Sequence, residues 1–121
     1  MTPSQPARPD DPSSACYTTA DGVYVVAPSG DLDHDVRERV EAELRPPDGL
    51  TPPRTVADLS AVTFMDSSGI NVLLLVHRAA AAAGGWVRVA GAQESVMRVV
   101  DIVGLDTVIA FYPTVDHALK G

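Results

Sequence analysis

The sequence predicts an α/β fold built on a mixed β-sheet of four to five strands, with an N-terminal antiparallel hairpin and about four packed helices. Two strand-like runs flank the turn dipeptide Asp21-Gly22, which signals a hairpin. After residue 54, short β-type runs alternate with helical ones, a pattern that implies parallel strands joined by right-handed crossovers. The chain has 121 residues, enough for one domain with a core of its own but not for two.

Residues 1–14 carry Pro3, Pro6, Pro9 and Pro12 among polar neighbours. Their apolar content is too low to drive folding, so a disordered arm is expected there, followed by a domain over 15–121. Cys16–Ala20 and Val23–Ala27 are the hairpin strands, and Pro28-Ser29-Gly30 is expected to end the second. Leu32, Val36, Val40 and Leu44 recur at four-residue spacing between charged residues and predict an amphipathic helix. Pro46-Pro47-Asp48-Gly49 stops it, and an exposed loop runs on to Pro53.

The run 54–60 is a short strand of the buried kind, with Val62-Thr63-Phe64 after it. Met65-Asp66-Ser67-Ser68-Gly69 then precedes a long helical segment over 70–83, closed by Gly84-Gly85. Residues 86–91 alternate as a strand, 94–104 form a helix, 107–112 a strand and 114–120 a terminal helix. Trp86 is expected to anchor the core or its rim.

Composition narrows the function classes. The net charge of −7 argues against phosphate backbones as ligands, and the arginines are scattered rather than striped. Cys16 is the single cysteine, which excludes an internal disulfide and fits a cytoplasmic protein. No apolar run is long enough to span a bilayer, and the N-terminus lacks a signal-peptide core, so no membrane association is expected.

Enzymatic readings fail one by one. Ser67 and His77 stand ten residues apart on one predicted helix. That spacing is about 15 Å, far beyond the reach of a catalytic base. Counting an EF-hand loop from Asp31 puts Val36 and Ala42 where glycine and glutamate are required. An aspartyl-phosphate site at Asp31–Asp35 lacks a strand-terminal aspartate and a nearby lysine, since Lys120 lies at the tail. The carboxylates there fit a helix N-terminus. No catalytic residue, metal or cofactor is expected.

Asp66 is a good N-cap for the long helix. The two serines behind it allow two readings: both help cap, or Ser67 accepts a phosphoryl group. A helix N-terminus tolerates a phosphate because its amides are free and its dipole is positive there.

Two stretches together resemble the STAS family, the anti-sigma factor antagonists of bacteria. One is Gly30-Asp31-Leu32-Asp33-His34 after the hairpin. The other runs from Asp58-Leu59-Ser60 through Val62-Thr63-Phe64-Met65-Asp66-Ser67-Ser68-Gly69. Val87-Arg88-Val89 and Val103-Gly104-Leu105 resemble the family's fourth strand and the end of its third helix, so the likeness covers residues 16–120. Asn71, where many members carry glycine, and the proline-rich 46–53 loop depart from the pattern.

The resemblance implies a STAS fold and a binding module that is not an enzyme. In the family, the unphosphorylated protein binds an anti-sigma factor that is itself a serine/threonine kinase, and the sigma factor is released. The kinase then phosphorylates the first serine of the motif, here Ser67, and a serine phosphatase reverses it. Asp31, Asp33, Asp66, Ser67, Ser68 and Gly69 are the partner-facing residues this implies. The alternative is a STAS scaffold or accessory module, of a stress complex or of lipid or transport machinery, in which Ser67 only caps.

Overall fold

The computed structural model describes residues 15–121, and the arm expected over 1–14 lies outside them. β1 (Ala15–Thr18) and β2 (Val23–Ala27) form the expected antiparallel hairpin. Its turn is closed by the Gly22 amide, which donates to the Thr19 carbonyl at 3.0 Å. β4 (Arg54–Asp58), β6 (Trp86–Ala90) and β7 (Ala110–Tyr112) add in parallel, giving a five-stranded sheet ordered β1-β2-β4-β6-β7.

Alternation along these strands divides the core in two. Tyr24, Val26, Ala57, Val87 and Val89 face α1 (Arg37–Leu44), α2 (Ser67–Ala82) and α3 (Glu94–Val103). Val23, Val25, Val56 and Ala90 face the terminal helix α4 (Val115–Lys120) through Ala118. Trp86, expected to anchor the core or its rim, is half-buried on the α4 side with the Arg88 guanidinium 3.8 Å above its ring. Arg88 also donates to the Ala118 carbonyl at 2.8 Å, which ties α4 to the sheet.

A second, two-stranded sheet pairs β3 (Ser29–Leu32) with β5 (Ala61–Met65) in parallel. This corrects three sequence expectations. Pro28-Ser29-Gly30 ends β2 but also opens a new strand, because Ser29 and Gly30 pair with Ala61 and Val62 of β5. Leu32 belongs to β3 and not to a helix, and is almost fully buried. The helix begins at Arg37 after a 3₁₀ turn over His34–Val36, since the Asp33 carboxylate accepts the Asp35 amide at 3.0 Å and opens a tight turn first.

The last strand is also shorter than the expected 107–112. Gly104 ends α3 in the left-handed conformation, φ 74°, which glycine adopts without steric cost. A 3₁₀ turn over Leu105–Thr107 follows, and the Ile109 amide is committed to the Leu105 carbonyl at 3.0 Å. Only Ala110–Tyr112 remain to pair with Arg88–Ala90.

Candidate functional site: the start of helix α2

α2 starts at Ser67, three residues earlier than the apolar run alone suggests, because Asp66 supplies the cap. One Asp66 carboxylate oxygen accepts the Ser68 amide at 2.8 Å and the Gly69 amide at 3.4 Å. Two of the helix's orphan donors are thereby satisfied without either serine hydroxyl. The side-chain cap bonds at this helix start come from Asp66, not from a serine hydroxyl. Ser67 is exposed, Ser68 half-buried and Gly69 buried.

Gly69 is the reason the helix can start where it does. A Cβ there would stand 2.7 Å from Met65 Cγ and 2.9 Å from the Leu32 carbonyl oxygen. Only a bare α-carbon lets the first turn of α2 press against the end of β3. The Asp66 amide closes the same junction by donating to the Leu32 carbonyl at 3.4 Å.

β3 brings the upstream aspartates to this point. Asp31 pairs in register with Phe64 and Leu32 with Met65, so Asp31 and Asp33 arrive beside the β5–α2 turn. Asp31 is exposed and its carboxylate accepts the Thr63 hydroxyl at 2.9 Å. Asp33 is half-buried, and its carboxylate caps the 3₁₀ turn by accepting the Asp35 amide. The N-terminus of α3 closes the other flank, where the Ser95 hydroxyl donates to the Thr63 carbonyl at 3.5 Å.

The result is that Ser67 and Asp31 are both exposed at this end of the β3–β5 pair, with Asp33 and Asp66 half-buried behind them. A cavity of about 430 Å³ lies elsewhere, against Gly91, Ala92, Met97, Phe111, Tyr112 and Pro113. No group of three or more His, Cys, Asp or Glu able to hold a metal occurs among the described residues. His77 lies on α2 ten positions beyond Ser67, and His117 is bonded to Thr114 Oγ1 at 2.7 Å. Cys16 is a free, exposed thiol on the edge strand β1. Among the described residues no helix is long and apolar enough to cross a membrane.

Sequence reasoning assigned no role to Thr63, Phe64 or Ser95. Phe64 is 48% exposed although its type suggests a core position, and nothing in the local pattern signals that.

The family model of the STAS domain matches residues 16–118. An anti-sigma F factor antagonist of Paenibacillus polymyxa is 31% identical over 102 residues, covering 81% of this chain and 85% of that protein. The crystal structure of an anti-sigma factor antagonist from Mycobacterium paratuberculosis superposes with a TM-score of 0.75 at 29% identity, covering 94% and 96% of the two chains. The anti-sigma factor antagonist SpoIIAA, solved in its unphosphorylated form, shares the fold at a TM-score of 0.69 and 20% identity, covering 89% and 94%. With the family model matched over nearly all of the described residues, the chain belongs to the STAS domain family.

Proposed function

We propose that this protein is a cytoplasmic anti-sigma factor antagonist and not an enzyme. Its unphosphorylated form binds an anti-sigma factor serine/threonine kinase and frees the sigma factor. Phosphorylation of Ser67 ends that binding, and a serine phosphatase restores it. The observation that carries this reading is the exposed Ser67 at the first position of a helix already capped by Asp66.

The electrostatics favour a switch that leaves the fold alone. A phosphoryl group adds a charge of about −1.5 to −2. On Ser67 it would meet the positive end of α2 while Asp66 kept its bonds to the Ser68 and Gly69 amides. Outward, it would join Asp31, Asp33 and Asp66 on a face matched to a partner. Burying that added charge in an interface brings repulsion and a desolvation penalty of several kcal/mol, sufficient for a large affinity loss. Asp31, Asp33, Asp66, Ser67 and Ser68 would border the partner, and Gly69 would act by setting the height of the helix against β3.

The test uses the purified anti-sigma factor kinases of the source organism, assayed singly. Ser67→Ala should fold normally, bind one of them and stay bound when ATP is added, while Ser67→Asp binds weakly. Phosphate incorporated into Ser67→Ala at wild-type stoichiometry would rule out the assignment.

A further inference from the structure

The pairing of β3 with β5 contains one irregularity. Ser29 and Gly30 pair with Ala61 and Val62, but Asp31 and Leu32 pair with Phe64 and Met65. Thr63 is the extra residue, so β5 carries a bulge opposite Gly30–Asp31. Regular alternation from Val62, which is fully buried, would turn Phe64 inward and Met65 outward. The bulge reverses both: Met65 is 2% exposed and Phe64 48% exposed. The Thr63 hydroxyl pins the bulge by donating to Asp31 Oδ1.

A single exposed phenylalanine is ordinary. This one is turned out by a specific backbone device, three residues before Ser67 on the strand that leads into it. Chain reach keeps the two α-carbons within about 11 Å. Asp31 lies directly across the pair from Phe64, and Asp33 and Asp35 follow it. An exposed aromatic ring paired with one aspartate, on a chain segment carrying two more, has the composition of an interface anchor with a polar rim.

We propose that the Thr63 bulge presents Phe64 as the apolar anchor of the surface that docks the anti-sigma factor, whose complementary site is an apolar pocket with a basic rim. The proposal rests on the function proposed above. Continuity with Ser67 and these aspartates argue for that occupant over a second copy of this chain, because two copies would set Asp31, Asp33 and Asp35 against their like. The anchor also explains how one phosphoryl group can act strongly: it lands beside the contact that carries most of the affinity.

The experiment measures Kd for the cognate purified kinase without ATP, by calorimetry, alongside melting temperature and sedimentation. Phe64→Ala should weaken binding by about 30-fold or more, the range of an interface hot spot, with the melting temperature unchanged. Phe64→Tyr should keep most of the affinity. Wild-type affinity in Phe64→Ala, with Ser67→Asp still losing the kinase, overturns the anchor and leaves the antagonist reading standing. An affinity loss that follows a fall in melting temperature overturns it too, since Phe64 would then act through folding. So does loss of self-association with kinase binding intact. If wild-type protein binds none of the kinases, the antagonist reading fails and the anchor with it.

Discussion

The two sheets of this molecule obey different rules. In the five-stranded sheet the parallel register runs without a break, from Val23 opposite Arg54 to Val26 opposite Ala57, and on from β4 into β6. The central strands β2, β4 and β6 bury side chains on both faces. In the β3–β5 pair the register slips once, one face is solvent-exposed, and the outward residues are Asp31, Thr63 and Phe64. Those three central strands have both faces committed to the core. The second sheet is anchored by Leu32, Val62 and Met65 on its inner side, so its outer side can vary without loss of the fold.

Three substitutions or conditions sharpen that contrast, taken from the largest effect to the smallest. Gly85 leads into β6, and a Cβ there would collide with the Pro53 backbone. Gly85→Ala should therefore cost about 3 kcal/mol or more, seen as a lowered denaturation midpoint or loss of folded protein. A mild effect would mean that the large sheet tolerates backbone shifts as the small pair does.

Gly69→Ala tests the small pair. Its Cβ meets Met65 Cγ and the Leu32 carbonyl, so α2 must lift from β3 at a cost of about 2 kcal/mol. The lift should also displace Ser67, and kinase binding should weaken in protein that remains folded. Unchanged binding would show that the proposed docking face does not depend on the height of the helix.

The third concerns alkaline pH and the large sheet. Burial, with a hydrogen bond and charge from Cys16 and then charge from Glu43, pushes the Tyr24 phenol from 10.0 up to about 12. Its hydroxyl donates to the Glu43 carbonyl at 3.1 Å, tying α1 to β2. The folded state thus holds the proton more tightly than the unfolded one. That contribution to stability is complete below pH 10 and is lost as pH rises toward 12. Denaturant titrations across this window should show the fall, and Tyr24→Phe should flatten it. Neutral pH should show no such slope.

Much of this is legible in the chain, for a physical reason that differs by element. Asp66 announces the start of α2 because a cap is a bond to amides two and three residues away. Asp21-Gly22 announces the hairpin in the same local way. The start of α1 escapes the pattern because Leu32 keeps helical spacing with Val36 and Val40, yet is claimed by β5, about thirty residues downstream. The last strand is shorter than its pattern because the turn bonds of Thr107 and Ile109 compete with the ladder, and periodicity cannot weigh that competition.

By itself, the sequence determined the α/β class, the capped helix and the serine it presents, since all three follow from periodicity and short-range hydrogen bonds. Only the tertiary structure decided that Asp31 stands against Thr63 and that Phe64 faces outward. That contact joins residues 32 positions apart, and strand register at such a distance is settled by which side chains the whole core can bury.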